Sequence, residues 1–182
     1  MQLDFTVVFS YWQVLAKGLA LTLAFTVSCA VLGSVFGFLL SLLRLSKNRF
    51  ISIPTGLYVE LFRGTPLLIQ LFWIFFCLPV VFGISVPPYV SVMLALTLYM
   101  TAITSETFRG ALKSIPSEQH DACTALGVAK WNKVLYVIFP QALLRAVPPL
   151  LSNVVSLFKE SALISSVGIA DLMFVGQNIS NS

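Results

Sequence analysis

Charge is scarce in this sequence: 11 Lys and Arg and 7 Asp and Glu among 182 residues, or 10% charged. A soluble domain carries about 25%. Eighteen charges cannot coat a water-exposed globule, and the 58% hydrophobic content excludes a disordered chain as well. Histidine occurs once, and the three cysteines, Cys29, Cys77 and Cys123, stand far apart. That spacing offers no metal-ligand set and no disulfide framework, and buried thiols are expected. The Gly-x-x-x-x-Gly-Lys-[Ser/Thr] phosphate cradle is missing too, so the chain has no nucleotide motor of its own. Met1–Leu15 carries only Asp4, unlike the basic start of a secretory signal. The first apolar run is expected to be a retained span.

In place of charge there are long apolar runs. A helix needs about 20 mostly apolar residues to cross roughly 30 Å of hydrocarbon. Gly18–Leu43 is charge-free and flanked by Lys17 and Arg44, which predicts a first span over 18–43. Its Gly33, Gly37 and Ser41 fall at small-xxx-small spacing, which permits close helix packing or reflects the ordinary glycine content of such helices. Gly64–Ser105 holds no charge but is marked by Pro79, Gly83, Pro87 and Pro88. The expected division is a span over 53–78, a short turn, and a span over 89–107. Glu60 and Arg63, three apart on one face, are expected to neutralise each other. Glu106 and Arg109 are expected to form an anchoring pair or a gate. After Lys133 the chain is expected to lie on the surface to about Ala146, then to span over 148–164. The fold class is therefore an all-α integral membrane bundle of four spans, forming one domain over 1–182.

Basic residues concentrate on one side of these spans: Arg44, Lys47, Arg49 and Arg63, then Arg109, Lys113, Lys130 and Lys133. The positive-inside rule puts them in the cytoplasm and the N-terminus outside. Trp12, Trp73 and Trp131 suit interface anchors or packing.

Between the third and fourth spans, Ser114–Gly127 reads as a short helix. Pro116 suits its first turn, Glu118 and Asp121 lie toward the positive end of its dipole, and Gly127 suits a left-handed closing position. A second helical stretch, 128–139, runs into Pro140. Ala122, Ala125 and Leu126 recur at helical spacing and form a small apolar face. That face is suited either to a partner's groove or to the bilayer and its own bundle. A tethered 25-residue segment makes a poor DNA-binding helix-turn-helix, so no nucleic-acid partner is expected.

Asp121-Ala-Cys-Thr-Ala-Leu-Gly127 through Val137-Ile-Phe-Pro140 resembles the EAA loop in permease subunits of binding-protein-dependent ABC importers. Gly127 and Pro140 match its spacing, while Asp121, Cys123, Val137 and Phe139 replace Glu, Ala, Ile and Leu. Three further blocks are similar to the polar amino acid branch (histidine, glutamine and arginine type). They are Glu60-Leu-Phe-Arg-Gly-Thr-Pro-Leu-Leu-Ile-Gln70, Glu106-Thr-Phe-Arg-Gly-Ala-Leu-Lys-Ser-Ile-Pro116 and Lys159-Glu-Ser-Ala-Leu-Ile-Ser-Ser-Val-Gly-Ile-Ala-Asp-Leu172. Members usually carry a fifth span after the last block, so the resemblance implies a form shortened at its C-terminus.

The resemblance implies a bacterial inner-membrane permease that pairs with a like or different second permease subunit. Two cytoplasmic ATPase subunits would grip Asp121, Ala122, Cys123, Ala125, Gly127 and Pro140, and an external solute-binding protein would deliver a polar amino acid. The chain itself would be no enzyme, would hold no cofactor or metal, and would have no catalytic residues. Lys159 and Glu160 could face the path and receive a carboxylate and an ammonium group, or could pair with each other near the outer interface. Ser161, Thr101 and Thr104 could add hydroxyls to the path or bond their own backbone. An ATP-independent channel is the alternative. An intramembrane protease is not supported, because the only histidine, His120, lies in the loop and Asp171 has no second Asp in a span.

Overall fold

Backbone polar groups in hydrocarbon must bond one another, so the charge-free runs form helices. The computed structural model describes residues 11–83 and 86–180. Expectations that fall on residues 1–10, on 84–85 in the turn between the second and third spans, or on 181–182 lie outside the described residues. The helices are α1 (Trp12–Arg44), α2 (Arg49–Gly64), α3 (Leu67–Phe82), α4 (Pro88–Lys113), α5 (Ser117–Ala125), α6 (Lys130–Val167) and α7 (Leu172–Ser180). No strand occurs among the described residues. α1, α4 and α6 are each long and apolar enough to cross a membrane, and the bent pair α2–α3 makes up to four spans. The all-α class agrees with the sequence expectation.

Two boundaries differ from expectation. Residues 53–78 do not form one helix, because α2 and α3 meet at an angle of 108°. Pro66 disfavours helical backbone at the residue before it, and Thr65 is extended (φ −109°, ψ 140°). Gln70, buried in α3, ties this elbow. Its Nε2 lies 2.7 Å from the Phe62 carbonyl oxygen, 2.9 Å from that of Thr65 and 2.7 Å from Thr65 Oγ1. The carbonyl groups released at the end of α2 thereby find a donor.

The second difference is α6. Neither Pro140 nor Pro148–Pro149 ends it, and one helix of 38 residues replaces the expected surface piece and 148–164 span. At 1.5 Å per residue it is about 57 Å long, more than a bilayer core needs. The turn over Lys133–Ile138 is π-wound just ahead of Pro140, as is Trp73–Cys77 ahead of Pro79. A widened turn makes room for a ring that lacks an N–H and would clash with the preceding turn.

α1 and α4 form the closest helix pair, and glycine permits it. Thr104 Oγ1 lies 2.8 Å from the carbonyl oxygens of both Gly33 and Met100. A Cβ on Gly37 would overlap Thr104 Oγ1 and come within 2.9 Å of the Thr101 carbonyl oxygen. Of the two readings of the small-residue pattern, close packing is the one observed. The main core sits against this contact, with Phe25 and Cys29 of α1, Leu71 of α3, Leu96 and Met100 of α4 and Leu157 of α6.

Candidate functional site

Two regions carry the residues singled out in the sequence. The first is α5 and its ends. Pro116, in extended conformation, precedes the helix, and a Schellman closure ends it. The Val128 N–H donates to the Cys123 carbonyl at 2.9 Å and the Gly127 N–H to that of Thr124 at 3.1 Å. Gly127 adopts φ +67°, a left-handed backbone that strains any residue with a Cβ. Lys133 Nζ caps the same end, 2.8 Å from the His120 carbonyl oxygen and 3.3 Å from Thr124 Oγ1. α5 rests on the π-wound turn of α6.

The exposed face of α5 presents Asp121, Ala122, Ala125 and Leu126, the last 80% exposed. Cys123, the cysteine standing where the motif has alanine, turns inward and is buried. Pro140 does not border a loop but lies inside α6.

The second region is a cleft of about 450 Å³ in the α2–α3 elbow, lined by Arg63, Thr65, Tyr99, Glu160 and Leu163 among others. Tyr99 Oη donates to Glu160 Oε1 at 2.8 Å, and Glu160 Oε2 is buried without a partner. Arg63 is half-exposed. One guanidinium and one half-satisfied carboxylate therefore border the same space.

Lys159 does not pair with Glu160. Neighbours on a helix diverge by about 100°, and Lys159 instead lines a separate cleft of about 440 Å³ with Thr22, Asp171 and Gln177. Thr101, Thr104 and Ser161 are buried with their hydroxyls turned to backbone carbonyls: Thr97 at 2.7 Å for Thr101, Gly33 and Met100 for Thr104, Phe158 at 2.7 Å for Ser161. Each of these hydroxyls is engaged by a backbone carbonyl, and Ser161 also lines the Lys159 cleft.

The expected ion pairs divide in the same way. Glu106 and Arg109 pair through both carboxylate oxygens, and Arg44 of α1 adds a contact at 2.5 Å. Glu60 and Arg63 do not pair. The Arg63 guanidinium turns to Glu106, with 4.0 Å between Nη1 and Oε2. Sequence reasoning missed Arg44, Tyr99 and Gln70. Tyr99 and Gln70 could have been noticed as long polar side chains inside apolar runs, whereas nothing local points Arg44 at Glu106.

The sequence matches a family described as "Binding-protein-dependent transport system inner membrane component" over residues 30–182. It is 36% identical over 166 residues to the "Putative glutamine transport system permease protein GlnP" of Rickettsia conorii, with 91% of this chain and 76% of that one covered. It is 34% identical over 170 residues to the "L-cystine transport system permease protein TcyB" of Bacillus subtilis, covering 93% and 72%. The "Arginine transport system permease protein ArtQ" of Bacillus subtilis is 33% identical over 173 residues, covering 95% and 79%. Among solved structures, one described as "Crystal structure of an amino acid ABC transporter with histidines" superposes with a TM-score of 0.93 at 30% identity, over 100% of this chain and 84% of that one. An inward-facing MetNI methionine ABC transporter shares the fold, with a TM-score of 0.76 at 24% identity over 93% and 81%.

Proposed function

The chain belongs to the inner membrane components of binding-protein-dependent transport systems, and from that premise we propose that it is the permease subunit of an ATP-driven importer of polar amino acids. It supplies the path and couples to a separate cytoplasmic ATPase dimer through α5. ATP hydrolysis belongs to that partner. An external solute-binding protein delivers substrate, and a second permease subunit, alike or different, completes the path. The basic residues Arg44, Lys47, Arg49, Lys113, Lys130 and Lys133 orient the chain in the bacterial inner membrane with α5 in the cytoplasm and the N-terminus outside.

The observation that carries this reading is the exposed Asp121–Ala122–Ala125–Leu126 face on a short helix closed at its C-terminal end by the Gly127 turn. A stiff helix with small side chains seats closely in a groove and transmits displacement of the seat to α6. In the elbow cleft, Glu160 suits an ammonium group and Arg63 a carboxylate, replacing the Lys159–Glu160 pair expected from sequence. A channel needs no such docking face.

The test is a mild-detergent purification of the tagged chain from its native membranes, beside Gly127→Asp. An ATPase is expected to co-purify with the parent and to be lost from the variant, and the purified complex, supplied with the solute-binding protein, is expected to take up labelled amino acids in vesicles. Ion conduction by the chain without any ATPase would favour the channel and overturn the importer reading.

A further inference from the structure

A second cleft, of about 410 Å³, lies on the α5 side of the elbow cleft. Its lining includes Arg63, Glu106, Ser114, Arg145 and Asn153. Arg63 borders both clefts. Along α4, Glu106 of the second cleft lies seven residues beyond Tyr99 of the first, about 10 Å at 1.5 Å per residue. The two spaces are thus stacked along the bundle with one guanidinium between them.

The charges at the second cleft do not balance. Arg109 and Arg44 already occupy both oxygens of Glu106, and Arg63, at 4.0 Å, stands beyond hydrogen-bond distance. No hydrogen bond from Arg63 is found among the described residues. Arg145, exposed, turns its Nη1 to the carbonyl oxygen and hydroxyl of Ser114 and keeps its other N–H groups free. Three guanidinium groups surround the Glu106 carboxylate, and Arg145 borders the same cleft without a carboxylate partner. A guanidinium with open donors binds a planar anion in bidentate fashion.

The geometry points to a second, transit site for the substrate's carboxylate at Arg145, reached from the elbow cleft by way of Arg63. This inference rests on the amino acid permease reading above. A carboxylate held by Arg63 beside Glu160 leaves the ammonium's partner behind as it moves, and meets Arg145 before it is released. Arg145 also holds the backbone of Ser114, three residues ahead of α5. A carboxylate at Arg145 takes the Nε and Nη2 donors that Ser114 leaves open, so the anion sits beside the root of the coupling helix.

The experiment uses the co-purified importer complex in phosphatidylcholine vesicles, with the solute-binding protein on the side opposite α5 and ATP on the α5 side. Uptake of a labelled amino acid is challenged from that same side with excess unlabelled amino acid or with its uncharged-end analogue, the carboxamide. The amino acid is expected to inhibit and the carboxamide not. Arg145→Gln is expected to weaken this inhibition about tenfold, as loss of one charge-assisted contact predicts. An unchanged melting temperature of the complex in detergent reports a folded variant. Arg145→Lys is expected to recover part of the inhibition, and Arg63→Gln to alter both KM and inhibition. Equal inhibition by the carboxamide, or full inhibition in Arg145→Gln, overturns the transit site while the permease reading stands. If the Arg145→Gln effect arises only when phosphatidylglycerol is added, a lipid headgroup phosphate fills the cleft and the proposal fails. A parent complex that moves no amino acid at all defeats the permease reading and this site with it.

Discussion

The hydrogen bonds that close α5 come from its own neighbourhood, the Gly127–Val128 turn and Lys133. The elbow cleft, by contrast, joins Tyr99 to a glutamate 61 residues away and takes Arg63 from a third helix. A region closed by local bonds keeps its shape when the rest of the molecule moves. A region assembled from several helices changes shape whenever those helices shift. Coupling needs the first property, so that force is passed on rather than absorbed, and alternate binding and release needs the second. The division of the molecule into a stiff contact and a deformable cleft is thus a mechanical arrangement as well as a difference in architecture.

The sharpest way to separate the two regions is a substitution on the exposed face of α5 that leaves the bundle alone. Ala125→Lys puts a long, charged side chain where a small apolar one is open to a partner. Co-purification of the ATPase is expected to fall by more than about tenfold, as the burial of an unpaired charge at an interface costs. The melting temperature of the isolated chain in detergent is expected to stay within about 1 °C, since exposed helical substitutions cost within about 0.5 kcal/mol. An equal loss of thermal stability would show that α5 is not independent of the bundle.

The opposite break is in the bundle. Gly37→Ala forces a methyl group against Thr104 and the α4 backbone, and overpacking of this kind costs about 1–3 kcal/mol. Thermal unfolding in detergent is expected to begin at a lower temperature. Retained ATPase binding by the folded fraction would confirm that the α5 contact outlasts a strained α1–α4 seam.

What was legible in the sequence follows the same division. The Gly127 turn that closes α5 is set by residues within a few positions of one another, so spacing alone located it, while the helix begins at Ser117, just after Pro116 rather than with Pro116 in its first turn. The Glu106–Arg109 pair, three residues apart on one helix, was legible for the same reason. Glu60 and Arg63 had the same spacing and failed, because a carboxylate on another helix drew Arg63 away. The elbow escaped notice because Glu60, Arg63 and Pro66 were read as the opening turns of one span over 53–78 rather than as the end of a separate helix. Only Pro66 and the buried Gln70 mark it, and Gln70's three contacts exist only once the bend has formed. Prolines misled in α6, where π-wound turns ahead of Pro140 kept the helix continuous. Lys159 and Glu160 were read as one unit because they adjoin in sequence, but a helix sends adjacent side chains into different clefts.

The smallest expected effect tests why the motif tolerates a departure at Cys123. Its side chain is buried beneath α5, on the face turned away from Asp121, Ala122 and Ala125. Cys123→Ala removes one sulfur atom from that inward face and changes nothing a partner would touch. Deleting about one methylene-sized group from a buried position costs about 1 kcal/mol, so the melting temperature is expected to fall by only a few degrees. The amount of ATPase recovered per folded chain is expected to match the parent. A clear loss of ATPase binding would mean that the inward face also sets the position of α5 in its socket, and that the helix is less self-sufficient than its caps indicate.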